Sequence, residues 1–310
     1  MWSIRQSSGG PIARAQSSEK ESQSRLAAEV FSCAKCSYPA SAFYHRFGLP
    51  SFDASPCLCG CFLFRRPNKL DSDGRTIMES NLPCPLIITR IRDQGRDIRS
   101  FDLRLEPARN EHGVTFVPGQ VAVLRVANEE PSYFAFASAP EDNELEILVK
   151  RTIGASVALF EMKEGESVTL LDVAGHGFDL DQQRGRDLVF VAMGTGVAPL
   201  RSALRHVLSR KQDFGQLVVL YGARTPEDFC YRDETESWEE AGVELRQVIS
   251  RPGDHDWSGP TGYVQSLLDH VLPELRSPVA LVCGSREMIA QTRGRLQQMG
   301  FAADDILTNY

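Results

Sequence analysis

The chain has 310 residues, 42% of them hydrophobic and 24% charged, with a formal net charge of −7. That length accommodates two domains with sizeable cores, and no apolar run approaches the ~20 residues that a membrane-spanning helix requires. Charge is unevenly placed: residues 1–77 carry ten Lys/Arg against six Asp/Glu, and the remainder 24 against 35, so the acidic body offers no stripe of the kind that binds nucleic acid.

Residues 1–77 do not read as a fold. They are rich in Ser and Arg and show no sustained hydrophobic period. They fit an organelle-targeting peptide in part, with Glu19, Glu21 and Glu29 against it. A targeting or disordered leader is expected; the rival is a start at Met78, just ahead of the first convincing strand. Five of the eight cysteines lie between Cys33 and Cys61. Cys33-x-x-Cys36 has zinc spacing. Cys57-x-Cys59-x-Cys61 has no evident scaffold and lacks plant-type iron–sulfur spacing, so no metal site is expected. A body of this size has little need of a disulfide framework, which points to a reducing compartment.

From Pro85 the texture changes. Residues 86–91 and 98–105 read as strands. A Pro118-Gly119-Gln120 turn leads into a strand over 121–126, and strands over 133–138 and 145–150 follow. Short strands at this interval predict a small antiparallel β-barrel, completed by a helix over 154–162 and a strand over 167–172. His176, between two glycines, reads as a loop residue. From Asp187 strands alternate with helices. Strands are expected over 188–193, 217–221, 243–249 and 279–282, with helices after the first and around 233–240, 264–271 and 287–299. Such alternation predicts a doubly wound parallel α/β sheet, whose ligands sit at the carboxyl ends of the strands. Gly194, Gly222 and Gly284 fall at such ends.

The most informative stretch is 188–208, LVFVAMGTGVAPLRSALRHVL. An apolar strand is broken by Gly194-Thr195-Gly196. Val197, Leu200, Leu204, Val207 and Leu208 follow at helical spacing, with Pro199 in the first turn. A strand–glycine–helix turn points backbone N–H groups and the positive end of the helix dipole at one spot, which suits a pyrophosphate. On this stretch alone, a tight turn without a ligand is the alternative.

Four pieces in order, Pro118-Gly119-Gln120, Gly194-Thr-Gly-Val-Ala-Pro199, Tyr221-Gly-Ala-Arg224 and Cys283-Gly284, resemble the ferredoxin–NADP reductase-like flavoproteins over about residues 84–310. With the leader over 1–77, the resemblance implies an FAD-binding β-barrel over 78–184 and an NAD(P)-binding α/β domain over 185–310. In the barrel it implies that Phe134 packs on the flavin. Ala135 stands where relatives bond flavin N5 through a hydroxyl, and Phe136, Ala137 and Ser138 end the same strand. Ser132 stands in place of an Arg that pairs with the pyrophosphate; a one-residue slip recovers Tyr133 as the aromatic but not the Arg. Gly154, Ala155 and Ser156 match a second phosphate-binding element, or form a plain helix cap.

In the second domain the resemblance implies that Gly194, Gly196, Val197 and Pro199 hold the dinucleotide pyrophosphate. Thr195 would lie near the nicotinamide and Cys283 beside its reactive carbon, with Gly284 permitting close approach. Gly222 and Arg224 line the site. Ser250, Arg251 and Tyr263 lie where relatives choose between NADPH and NADH, with Thr261 in place of a Lys that favours NADPH, and the choice stays open. Tyr310 stands where plant-type relatives stack a terminal Tyr on the flavin. The implied activity is that of an FAD-containing NAD(P)H oxidoreductase that passes electrons to an unidentified acceptor. The cofactors hold the chemistry, so no acid or base motif is required. The alternative is an NAD(P)-binding sensing or assembly subunit with weak or absent flavin binding. A likeness in texture to a plant and algal branch implies a plastid; the cytoplasm is the alternative.

Overall fold

The computed structural model describes residues 82–106, 113–253 and 256–309, within one compact unit that spans residues 68–310. The expected leader over 1–77, its five cysteines and Tyr310 lie outside the described residues.

Six strands form an antiparallel sheet: β1 (Cys84–Gly95), β2 (Ile98–Leu105), β3 (Val121–Arg125), β4 (Ser132–Ala135), β5 (Leu145–Lys150) and β6 (Ser167–Ala174), in the order β4-β3-β6-β1-β2-β5. Side chains alternate between faces along a strand. Here Leu86, Ile88, Phe101, Leu103, Ala122, Leu124, Val168 and Leu170 all turn inward to one core. The two edge strands meet at a seam. After Ala135 the chain leaves β3 and crosses to β5, where Phe136 bridges Ile147 and the Ala137 N–H donates to the Glu146 carbonyl at 2.7 Å. The sheet is thereby closed into a barrel. Helix α1 (Ala155–Glu161) buries Ala155 and Leu159 in the same core.

The second layer is a parallel sheet of β7 (Leu188–Met193), β8 (Leu217–Ala223), β9 (Val243–Ile249), β10 (Val279–Cys283) and β11 (Ile306–Leu307), ordered β11-β10-β7-β8-β9. Helices α2 (Val197–Leu208), α3 (Thr235–Glu240), α4 (Leu268–Val271) and α5 (Arg286–Gln298) accompany it. Both faces of the sheet are covered, so its central strands read as continuous apolar runs rather than alternating ones. On one face Phe190, Ala192, Val219, Tyr221 and Leu281 pack with α2, with Trp238 and with Ile98, Ala137 and Leu148 of the barrel. On the other, Val189, Val191, Val218 and Leu220 pack with Val264, Leu268, Met288 and Ile289. The chain enters at β7, steps outward to β8 and β9, then returns to lay β10 on the other side of β7. The crevice at this reversal lies between the carboxyl ends of β7 and β10.

Some elements differ from expectation. The strand expected over 133–138 ends at Ala135, because the next residues hand over to β5. The helix expected over 264–271 is a 3₁₀ turn (Val264–Leu267) followed by the four residues of α4. Strand β11 has two residues, too few to carry a hydrophobic period.

Phe136 is fully buried and stacks on Phe116 with ring centroids 4.2 Å apart. Phe136→Ala is expected to cost about 3–5 kcal/mol of stability, read by denaturant unfolding; a loss below about 1 kcal/mol would mean that the seam does not support the barrel.

Candidate functional site

A cleft of about 940 Å³ opens at the crevice. The barrel contributes Ile98, Ala135 and Lys150 to it, and the parallel sheet contributes its strand-end loops, among them Gly194, Thr195, Gly196, Pro199, Gly222, Cys283 and Gly284. Dinucleotide-sized ligands bind in concave sites at such switch points.

The glycine turn forms one side of the cleft. Gly194–Gly196 make a 3₁₀ turn that runs directly into α2. Gly194 has φ +55°, a conformation that L side chains rarely adopt. A Cβ on Gly196 would lie 2.4 Å from the Cys283 carbonyl oxygen and 2.8 Å from the Gly284 nitrogen. Only a glycine lets the turn sit on the end of β10. At Gly284 a Cβ would meet Met288 Cε at 2.3 Å and Met193 Cβ at 3.0 Å. The first turn of α2 holds no acidic residue, and no side chain caps its N-terminus. The helix end therefore presents backbone to the cleft with no carboxylate of its own first turn to oppose an anion. From below, the Tyr221 hydroxyl donates to the Gly194 carbonyl at 3.1 Å and accepts from the Cys230 N–H at 3.1 Å. Burial pushes the Tyr221 phenol well up, so it stays neutral.

Cys283 is buried at the end of β10, and burial pushes its thiol up to about 12. The thiol donates to Asn309 Oδ1 at 2.9 Å, and Asn309 Nδ2 donates to the Gly119 carbonyl at 3.3 Å. The C-terminal segment thus connects β10 to the Pro118–Gly119 turn of the barrel. That turn is packed tightly: a Cβ on Gly119, at φ +92°, would lie 2.6 Å from the Phe178 ring. Arg224 and Arg251 also line the cleft, both exposed and neither in an ion pair among the described residues, with Ser250 and Tyr263 beside them and Asp228 and Glu287 as the acidic members.

On the barrel side the strand faces the opposite way from expectation. Phe134 is 8% exposed and belongs to the barrel core, while Tyr133 is 70% exposed. The alternation of β4 places Tyr133 and the cleft residue Ala135 on its outer face and Phe134 inside, which corrects Phe134 as a flavin-packing residue. Phe136 is likewise interior. Ser138 is buried, and its hydroxyl accepts from the Glu146 N–H at 2.9 Å. Val123 pairs with Tyr133 and Val121 with Ala135, so the outer face is an apolar ledge. At α1, Gly154 has φ +56° and no side chain caps the helix. Ala155 is buried in the barrel core. The Ser156 hydroxyl accepts from the Thr152 N–H at 3.0 Å and donates to the Ile153 carbonyl at 2.9 Å. The Glu129 carboxylate lies 3.4 Å from where a Gly154 Cβ would be.

These residues fit a nicotinamide dinucleotide at the glycine turn, where a bare helix end and close-packed glycines leave backbone for a pyrophosphate. For a flavin they fit the ring end through the Tyr133–Ala135 ledge. At the phosphate end Ser156 is already engaged and Glu129 is adjacent. Motif matching missed Lys150, Asn309 and Arg201. Arg201 did leave a signal: it follows Val197 by four residues and precedes Leu208 by seven, inside the apolar stripe of α2, where a charged residue is buried only with partners.

A closed antiparallel barrel facing the switch point of a parallel dinucleotide-binding sheet is the layout of a two-domain flavoprotein reductase. Comparisons agree. The oxidoreductase NAD-binding domain profile matches residues 190–294. Ferredoxin–NADP reductase B of Sorangium cellulosum is 34% identical over 169 residues, which cover 52% of this chain and 69% of that protein. The fruit protein pKIWI502 of Actinidia deliciosa is 30% identical over 207 residues, 61% of this chain; the chain spans 65% of that protein's length. A ferredoxin NADP+ reductase of Neisseria gonorrhoeae, solved with bound FAD and NADP, shares the fold with a TM-score of 0.63 at 20% identity, over 72% of this chain and 96% of that one. The chain belongs to the ferredoxin–NADP reductase-like family of flavoproteins, oxidoreductases that use FAD and NAD(P)H.

Gly196→Ala forces a methyl group into backbone. It is expected to destabilise the protein by about 1–3 kcal/mol or more and to abolish nucleotide binding, read by thermal unfolding and by NAD(P)H fluorescence. Wild-type values for both would contradict the close contact. With its thiol neutral, Cys283 is expected to resist iodoacetamide at pH 8 in the folded protein and to react after unfolding. Rapid labelling of folded protein, mapped by mass spectrometry, would contradict its burial.

Proposed function

We propose that the chain is an NAD(P)H-dependent flavoprotein reductase that delivers electrons from its nicotinamide coenzyme, through FAD, to a separate acceptor. One observation carries this reading: the barrel ledge residue Ala135 and the sheet residues Thr195, Cys283 and Gly284 line the same cleft. When bound beside Tyr133 and Ala135, FAD would supply the hydride-accepting and electron-donating chemistry. The protein's part is to bind and orient. The glycine turn and the start of α2 would receive the dinucleotide pyrophosphate through backbone N–H groups. Thr195 and Cys283 would border the nicotinamide, with the neutral Cys283 side chain supplying packing rather than a nucleophile. Tyr133 and Ala135 would support the flavin ring, and the two bodies together would exclude water from between the rings. Arg224 and Arg251, free of carboxylate partners among the described residues, support a preference for NADPH over NADH.

A second reading, nucleotide sensing or assembly with weak flavin binding, is favoured by Glu129 beside Gly154 and by the absence of a cation at Ser132. Residues 1–77, basic and Ser-rich, support delivery to a plastid; a fluorescent fusion of that segment that stays in the cytosol would argue against it.

Anaerobic mixing of FAD-loaded protein with NADPH is expected to bleach the visible flavin band. A band that stays oxidised with both NADPH and NADH would overturn the reductase reading, and protein that binds NAD(P)H but takes up no FAD would favour the second reading. Arg251→Ala is expected to raise the Kd for NADPH about tenfold, the worth of one charge-assisted phosphate contact, and to leave that for NADH within about twofold.

A further inference from the structure

Arg201 is buried, at 5% exposure, in the second turn of α2. Its Nη1 donates to the Ala137 carbonyl at 2.7 Å and to Glu146 Oε2 at 3.0 Å, both on the barrel. Its Nε and Nη2 form a two-pronged pair with Glu234, at 2.8 and 2.5 Å, on the segment that leads into α3. The guanidinium carbon Cζ lies over the Tyr231 ring, 4.3 Å from its centre. Tyr231 is itself fixed to the barrel: it holds a left-handed backbone at φ +58°, and its N–H donates to Gln94 Oε1 of β1 at 2.8 Å. Around these groups lies a polar cavity of about 410 Å³ at the junction of barrel and sheet. Farther along α2, Arg205 pairs with Asp142 at 2.8 Å and His206 with Glu141 at 2.5 Å, both more exposed than Arg201.

Only short, stiff pieces separate these bonds from the cleft. Arg201 lies five residues after Gly196, about 7–8 Å along a helix. Ala137 lies two residues after Ala135, about 7 Å along an extended chain. No loop intervenes on either side. We propose that Arg201 is a positioning residue, which sets the separation between the barrel residue Ala135 and the glycine turn and thereby the approach of nicotinamide to flavin. The proposal rests on the reductase reading above. Four of the five guanidinium N–H groups are engaged. A lysine cannot span Ala137, Glu146 and Glu234 together, because it lacks the planar fork. Misplacement of reacting groups by about 1 Å can cost about 10²-fold in rate.

The test uses the full chain loaded with FAD. Arg201→Lys is expected to slow anaerobic flavin reduction at saturating NAD(P)H at least about tenfold and to weaken the long-wavelength charge-transfer absorbance seen on mixing. The Kd for NAD(P)H is expected to change less than about twofold, a split that general loosening of the fold would not produce. In the cofactor-free protein, hydrogen exchange is expected to rise together over 135–138 and 194–200. Glu234→Gln, which keeps the shape but loses the charge, is expected to show the same pattern more weakly, and it serves where Arg201→Lys does not fold. Variants that bleach at the wild-type rate with an unchanged charge-transfer band would overturn this proposal alone. A wild-type protein that neither nucleotide reduces would overturn the reductase reading and the proposal with it.

Discussion

The molecule is built around one close contact, where the turn after β7 rests on the last peptide of β10. A methyl group at Gly196 would stand 2.4 Å from the Cys283 carbonyl oxygen, so the two strand ends come together only because nothing projects between them. Those strands flank the reversal of the sheet, where neighbouring connections run to opposite sides. The contact turns that reversal into a floor made of backbone. What faces the cleft there is peptide N–H and helix end, preorganised by packing from both faces of the sheet and by the Tyr221 hydroxyl beneath. Backbone geometry at this floor adds to the exposed side chains of Arg224 and Arg251 that line the same cleft.

The charges that are buried serve a different end. Glu146 sits between Arg92 and Arg201, at 3.0 Å from each, and Arg201 reaches on to Glu234. Burial alone would lower the pKa of Arg201; the Glu234 hydrogen bonds and the surrounding acids outweigh it and hold the group above its ordinary value. Networks of this kind add little net stability over apolar packing, since desolvation offsets attraction. Their geometric demand is severe, because each donor has one acceptor at one distance. At the junction between barrel and sheet these directional bonds add a geometric constraint to the hydrophobic contact.

Much of this was legible in the sequence because the signals are local. The strands over 98–105, 145–150, 188–193 and 243–249 show apolar runs or alternation bounded by turn residues, and the structure has them at those bounds. Gly194, Gly196 and Pro199 announce the turn by residue type alone. The barrel side of the site was harder. Tyr133, Phe134, Ala135 and Phe136 are three aromatics and an alanine in a row, and which of them faces out depends on pairing with β3, a partner ten residues away in the chain. The resemblance assigns Phe134 to the flavin face, whereas the pairing of Val121 with Ala135 sets the alternation that turns Phe134 inward. Arg201, Glu146, Glu234, Tyr231 and Gln94 could not be grouped from the sequence, since their contacts join positions up to 137 residues apart, as between Gln94 and Tyr231. Asn309 lies in a segment too short to show any period.

The seam of the barrel and the docking of the barrel onto the sheet share a residue. Ala137 gives its N–H to β5 to close the barrel and its carbonyl to Arg201 to hold the sheet. Opening one of these contacts loosens the other, because the same residue makes both. Barrel and sheet are in this respect coupled through a shared residue, so a local opening at the seam also loosens the junction.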